Sequence, residues 1–403
     1  METKKLFDLD SYITKFSATV LSCEEDSKKA GNYLVILDQT AFFAEGGGQP
    51  ADKGTLGAAN VSHVSEKAGV ITHHCDKALE VGSLVEGSID WDVRFPHMQT
   101  HCGEHILSGI ILKEYGFHNV GFHMGKDFTT IDLDGELSAE MVLNVENLAN
   151  KAIGENVEVH VSYPPKEELS AIPLRKKPEV DNLRVVEVDG YDWCGCCGTH
   201  VARTGEIELL KIVDFQRYKG GTRLFFHCGK RALQDYQMKH SMMKALAEEF
   251  SCKPEGVADA VHKLQQDLND VKSQLNEKNK LLFGFLGEQL KASAPDVNGC
   301  KWLFLYGGFS ADEAKTFAMN MAKQDNLFCT FFMPAGGAVR YALSRSKNVD
   351  SLSTKTLCQA MNKALGGKGG GNDDLCCGSL PNLSEEELKK QTSLLLGYKS
   401  MKG

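Results

Sequence analysis

Two histidine-bearing segments, His101-Cys-Gly-Glu-His105 and Cys196-Cys-Gly-Thr-His200, constrain this chain more than any other feature. Each sets two side chains four positions apart, on one face of a helix or on successive turns of a tight loop. Each can therefore present two ligands to one ion, and three imidazole nitrogens with one thiolate suit zinc. A shared ion would force the fold to bring the segments together across all the sequence between them. The run His105-Ile-Leu-Ser-Gly-Ile-Ile-Leu112 continues a helical period and would hold the first ligand turn rigid. Gly190-Tyr-Asp-Trp-Cys194-Gly-Cys196 reads as a glycine-punctuated loop that aims a thiolate. Cys194 and Cys197 flank Cys196, and either could take its place. Glu104 is a conceivable general base, but its offset around the helix from His101 and His105 predicts exposure. With three protein ligands the ion would keep an open position for water; with four it would be closed and would anchor the site.

Composition sets the frame. At 403 residues, with 42% hydrophobic and 25% charged, the chain is long enough for two or three domains of ordinary globular usage. No apolar run approaches the roughly 18 to 20 residues of a membrane-spanning helix, and the N-terminus Met1-Glu-Thr-Lys-Lys lacks the apolar core of a secretion signal. Thirteen cysteines without framework spacing fit reduced thiols and a metal site, which points to the cytoplasm. A net charge of −9 argues mildly against a nucleic-acid partner. Against it, Arg175-Lys176-Lys177, Lys211, Arg217, Lys219, Arg223, Lys230 and Arg231 gather in one stretch, interleaved with Phe215, Tyr218, Phe225 and Phe226. By composition alone that stretch is a solvated basic strand face.

The organisation reads as α+β in four parts. Residues 1–92 carry short β-rich runs (Phe16 to Leu21, Tyr33 to Leu37, Gly69 to Thr72) between Gly and Asn turns, predicting a small β-barrel. Residues 93–229 read as an α+β domain holding both ligand segments, with helices near 97–113 and 138–153. Residues 230–295 turn helical, and Val257, Val261, Leu264, Leu268, Val271 and Leu275 repeat at heptad steps. Cys252-Lys-Pro254-Glu-Gly256 breaks that stretch, leaving an internal hairpin and an intermolecular coil both open. Residues 296–403 alternate strands and helices, predicting a separate α/β domain. Its run Gly366-Gly-Lys368-Gly-Gly-Gly371 is neither a Walker loop nor a dinucleotide fingerprint; a flexible linker and a stretch whose backbone N–H groups approach phosphate are both open.

The segment Asp38-Gln-Thr40-Ala-Phe-Phe-Ala-Glu45-Gly-Gly-Gly-Gln49-Pro50-Ala-Asp52-Lys-Gly54, followed by HxxxH and then CxxxH, resembles the editing domain of alanyl-tRNA synthetase and its free-standing AlaX-type relatives. Arg203-Thr-Gly205-Glu206-Ile207 and Tyr218-Lys219-Gly-Gly-Thr-Arg223 resemble the same family, and Leu365-Gly-Gly-Lys368-Gly-Gly-Gly371 is similar to the DHHA1 signature at the end of that synthetase. Asn372-Asp373-Asp374 stands where relatives commonly carry a basic residue, and dimerisation competes with phosphate contact as the role of this module.

The resemblance implies one zinc ion per chain on His101, His105, Cys196 and His200. It implies a pocket in which Thr40 and Gln49 recognise the attached amino acid, lined by Gly46, Gly47, Gly48 and Asp52, with tRNA contacts from Arg217, Lys219, Arg223 and Lys368. The implied reaction is hydrolysis of the ester on mischarged tRNA(Ala), chiefly Ser-tRNA(Ala) and then Gly-tRNA(Ala), with His101 at the reacting centre. The need is physical: one small group changes binding in an apolar pocket by only about 1 to 3 kcal/mol, so serine and glycine evade rejection and a second sieve is required. The barrel begins near the start of the chain, so an ATP-using aminoacylation core is not expected. Two other readings follow from the same residues: a zinc-stabilised tRNA-binding protein without hydrolysis, and a deacylase for another mischarged tRNA.

Overall fold

The computed structural model describes residues 2–175 and 182–397, so Lys176 and Lys177 of the basic stretch lie outside the described residues. The chain divides into two compact units, Met1–Glu249 and Phe250–Gly403.

The first unit opens on a closed barrel of Lys15–Glu25, Tyr33–Leu37, Val70–Cys75, Ala59–Lys67, Gly54–Leu56 and Leu84–Ile89, in that order around the barrel. Alternation drives it: Val35 with Leu37 and Ile71 with Cys75 point inward with Phe42, and a register shift between Val61 and His63 lets Val61 and Val64 both join them. Gly54 has no room for a side chain, because a Cβ there would lie 2.0 Å from the Ser88 carbonyl oxygen.

Helix α1 (Trp91–Tyr115) follows, started by the Asp90 side chain, which accepts from the Asp92 N–H, and ended by Gly116 at φ 72°. It is longer than the 97–113 expected from periodicity, and every residue from Met98 to Ile111 is buried. A helix covered on all sides is a core helix, not a surface one. That corrects the expectation for Glu104: it is buried, accepting from Ser108 Oγ and Asn119 Nδ2.

One wall around α1 is an antiparallel sheet ordered Leu210–Tyr218, Gly221–Cys228, Thr129–Leu133, Asn119–Met124. Helix α2 (Ala139–Glu155) and a second sheet of Val159–Ser162, Val185–Val188 and Asp192–Gly195 complete the surround. The last of these corrects the loop expected over 190–196: Asp192–Gly195 pairs with Val185–Val188. Its approach depends on Gly109, where a Cβ would meet the Tyr191 carbonyl oxygen at 2.3 Å. Helix α3 (Gly229–Glu249) closes the unit.

In the second unit, helix α4 (Val257–Ser293) starts after a short 3-10 turn at Pro254–Gly256. A six-stranded sheet follows, ordered Asp296–Val297, Cys300–Tyr306, Leu327–Ala335, Ala338–Arg345, Leu375–Pro381, Lys368–Gly371. Helix α5 (Ala311–Met321) packs on one face through Phe317, while α6 (Thr354–Leu365) and α7 (Glu385–Leu395) pack on the other through Met361 and Leu388. Among these strands only Cys300–Tyr306 and Leu327–Ala335 pair in parallel, so the α/β expectation gives way to a mixed, mainly antiparallel sheet. The reason is local: Gly336 and Gly337, at φ 59° and 82°, turn the chain straight back into a hairpin. The linker reading of the glycine run also gives way, since Lys368–Gly371 is an exposed edge strand hydrogen-bonded to Leu375–Pro381. No helix among the described residues is long and apolar enough to cross a membrane.

Candidate metal centre

Spacing puts His101 and His105 on one face of α1, and both are buried. The second segment meets them after the Asp192–Gly195 strand. Ligand atoms of His101, His105, Cys196 and His200 all lie within 4.8 Å of one another. Cys196 Sγ is 3.3 Å from His101 Nε2 and 3.7 Å from His200 Nε2. Tetrahedral zinc, with bonds of roughly 2.0 to 2.3 Å, puts its ligand atoms about 3.3 to 3.6 Å apart, so the donor set fits such an ion in chemistry and the two Cys196 contacts fit it in size.

The far sides of the rings are tied down. His101 Nδ1 donates to Gln49 Oε1 at 2.7 Å, and His105 Nδ1 donates to Asp192 Oδ2 at 2.8 Å, a tautomer assignment that follows from the acceptors. Nε2 is then the nitrogen of each ring left for a metal. Burial would lower the His105 ring, but Asp192 and Cys196 outweigh it and hold the ring well above its ordinary range, so a metal there would displace a proton. Asp192 is itself held by Arg175, with contacts of 2.8 and 3.1 Å. His200 Nδ1 is buried with no partner among the described residues. Burial alone would push the Cys196 thiol up, but the His101 and His200 rings outweigh it and hold the thiol well below its ordinary range. Burial pushes the His200 ring down to about 3, against the pull of the Cys196 sulfur.

Cys194 and Cys197 stand elsewhere. Cys194 groups with His105 and Asp192, and burial pushes its thiol up to about 11; Cys197 is exposed. Gly198 lets the loop close on the ring, since a Cβ there would lie 2.1 Å from His101 Cε1. Arg184 clamps the same loop by donating to the carbonyls of Cys196 and Gly198 at 2.9 and 3.0 Å.

Gln49 joins the glycine loop to both ligand segments. Its Oε1 also accepts from the Thr199 N–H at 3.2 Å, and its Nε2 donates to Thr199 Oγ1 at 2.8 Å. The loop is a tight reversal in which Gly46 and Gln49 exchange backbone hydrogen bonds of 3.1 and 3.0 Å. Gly48, at φ 85°, sits so close to Phe122 that a Cβ would meet its carbonyl oxygen at 2.6 Å. Among the described residues the N–H groups of Gly47 and Gly48 have no protein acceptor.

Asp52 ends the loop differently from a ligand-facing residue. Its buried carboxylate is taken up by the Arg94 guanidinium and by the Phe43 N–H at 2.6 Å. Thr40 is also fully buried. His73 Nδ1 donates to the Val35 carbonyl at 3.1 Å, so its Nε2 accepts the Thr40 hydroxyl proton at 2.9 Å, while Thr40 Oγ1 accepts from the Phe42 N–H at 3.1 Å. What remains on Thr40 is one lone pair, able to accept but not to donate. Among the described residues no hydrogen bond joins Thr40 to Gln49 or to the four-ligand cluster.

The basic strand face is largely paired. Arg223 holds Asp132 at 2.6 and 2.7 Å and lies over the Tyr218 ring; Arg217 reaches Glu136 at 3.0 Å. Lys219 sits at the hairpin turn with φ 49°. Lys368 belongs to the second unit, exposed on the sheet edge.

Sequence reasoning missed His73, Asp192, Thr199, Arg94 and Gly198. His73 carried a signal: in Val70–Cys75 it alternates inward with Ile71 and Cys75.

The profile of class II (A) tRNA synthetases matches residues 6–93, and that of the threonyl and alanyl tRNA synthetase second additional domain matches residues 183–224. An alanyl-tRNA editing protein, Aarsd1 of Bos taurus, is 31% identical over 332 residues, covering 77% of this chain and 73% of that protein. The alanyl-tRNA editing protein AlaX-L of Pyrococcus horikoshii is 27% identical over 401 residues, 95% of this chain and 96% of that one. The alanine–tRNA ligase of Pyrococcus abyssi is 28% identical over 95% of this chain, which spans only 42% of that enzyme. Likeness at 31% identity over 73% of the length of Aarsd1, and over nearly the whole of AlaX-L, places this chain in the alanyl-tRNA editing protein family.

Proposed function

We propose that the protein is a trans-editing deacylase that hydrolyses the ester of mischarged tRNA(Ala), chiefly Ser-tRNA(Ala) and then Gly-tRNA(Ala), with one zinc ion held by His101, His105, Cys196 and His200. The observation that carries the reading is the Gln49 side chain, which fixes the glycine loop against His101 and Thr199 at once. Loop and cluster are thereby one site. When bound, the ion would supply positive charge beside the ester.

The chain's own groups supply the rest. An aminoacyl ester is already activated, so the enzyme has mainly to orient water and stabilise an oxyanion. The N–H groups of Gly47 and Gly48, free of protein acceptors, suit the developing oxyanion or the attacking water. Thr40 suits recognition of a hydrogen-bond donor, because its own proton is committed to His73. A serine hydroxyl meets that demand and an alanine methyl does not. Arg217, Lys219 and Arg223 are assigned to tRNA, and in the second unit the DHHA1-like sheet with Lys368 is assigned to tRNA or to a second copy. For the latter, α4 leaves Leu264, Leu268, Val271 and Leu275 exposed.

The test incubates purified protein with Ser-, Gly- and Ala-tRNA(Ala) and a Thr-tRNA control, beside a His101→Ala variant. Release of serine by the wild type and its loss in the variant is expected. No release, or equal release by both, sinks the reading.

A further inference from the structure

A cationic cleft of about 550 Å³ opens beside the metal centre. Pro50, directly after Gln49, forms part of its wall, and the first turns of α1 and α3 form others. Lys53, Lys126, Lys230 and Arg231 line it against a single acid, Asp92. The chain as a whole carries −9, so this local excess of positive charge is not background. Arg231 is spent on the fold, donating to the carbonyls of Gly125 and Lys126 at 3.3 and 3.0 Å. Lys53 and Lys126 are exposed and make no ion pair among the described residues, and Lys230 lies 3.6 Å from Asp92 with both largely in water. Such a pair is cheap to exchange for another anion.

A second feature points to a ligand. His97 lines the cleft, and its Nδ1 is buried without a hydrogen-bond partner among the described residues. Buried polar atoms are seldom left so, unless something outside the chain completes them. His97 stands one helical turn before His101, about 6 Å along the axis of α1. The cleft is therefore adjacent to the metal centre along one rigid element. Apart from His97 its lining carries no aromatic ring on which bases could stack, so its ligand is recognised by charge.

We propose that this cleft takes the phosphodiester backbone of the single-stranded 3′ end of the tRNA, just upstream of the aminoacylated nucleotide. The inference rests on the reading that an aminoacyl-tRNA is the substrate. A flexible strand can follow a recessed wall past Pro50 towards the cluster, whereas a duplex presents its phosphates on a convex surface. Base identity should matter little.

The test uses the full chain, uncharged tRNA(Ala) and the same tRNA lacking its last four nucleotides, with affinity measured by fluorescence anisotropy across a salt series. Wild type should bind the truncated tRNA about tenfold more weakly. The triple variant Lys53→Gln, Lys126→Gln, Lys230→Gln should bind the intact tRNA about tenfold more weakly than wild type, lose its sensitivity to truncation, and lose about 2 from the log–log salt slope. Asp92→Asn should tighten binding of intact tRNA, a gain that damage to the fold cannot produce. A wild type indifferent to truncation, or a triple variant that still senses it, overturns the proposal. Truncation-sensitive binding without serine release would sink the deacylase reading and leave the cleft standing; serine release with unchanged binding by the triple variant would do the reverse.

Discussion

The Gln49 side-chain oxygen accepts the Nδ1 proton of His101 at 2.7 Å, and so decides which nitrogen of that ring faces the cluster. An oxygen can only accept, so His101 must keep its proton on Nδ1 and its lone pair on Nε2. Gln49→Leu removes this control without touching a ligand. Zinc affinity should fall about 10- to 100-fold, as it does when such supporting partners are lost elsewhere. Competition with a chromogenic chelator measures it, and unchanged affinity would show that the carboxamide is dispensable.

Cys196 and Cys194 should separate cleanly. Only Cys196 lies against the His101 and His200 Nε2 atoms, and only its thiol is drawn down by them. Cys196→Ala should abolish stoichiometric metal by elemental analysis, whereas Cys194→Ala should retain it. The opposite pattern would reassign the thiolate.

Thr40→Val keeps the shape of the side chain and removes its hydroxyl. Serine release from Ser-tRNA(Ala) should fall by about tenfold or more, the worth of one hydrogen bond left unmade. Steady-state deacylation, with Gly-tRNA(Ala) as the comparison, reads it; an equal fall for both substrates would assign Thr40 to structure alone.

His73 links stability to pH. Burial lowers its ring from the ordinary 6.5 to about 4, against the hydrogen bond to the Val35 carbonyl, which works the other way. The folded state therefore holds the proton less tightly than the unfolded state. Its contribution is complete above about pH 6.5 and is lost as the pH falls towards 4, at up to about 1.4 kcal/mol per pH unit. Urea unfolding across this range should show a shallower acid slope for His73→Gln than for wild type.

Arg94→Met leaves the Asp52 carboxylate buried without its partner. Loss of one member of such a pair costs about 3 to 5 kcal/mol. Chemical denaturation should show it, and Arg94→Met combined with Asp52→Leu should recover much of the loss.

Much of this was legible in residue spacing. His101 and His105 four apart on an apolar helix, and Cys196 and His200 four apart after glycine, are the residues that the fold gathers. The barrel was legible in its alternating strands. Burial at Glu104 was not, because α1 is covered by chain segments remote in sequence, and helical offset says only which way a side chain points. The Asp192–Gly195 strand was hidden because Gly190 and Gly195 read as loop; the pairing that overrides them comes from Val185–Val188. The Lys368–Gly371 strand was hidden for a like reason, as glycine has little strand preference of its own and takes its conformation here from Leu375–Pro381. His73 and Thr40 sit on strands joined across the barrel, a proximity that no local pattern encodes.

The separation of 95 residues between His101 and Cys196 also bears on how the protein is made. As the chain leaves the ribosome, the helix bearing His101 and His105 is out long before the segment that supplies Cys196 and His200. Two nitrogens alone hold zinc weakly, so an ion held by all four residues would be captured only after His200 has emerged. Metal capture by all four would then be a late event in synthesis.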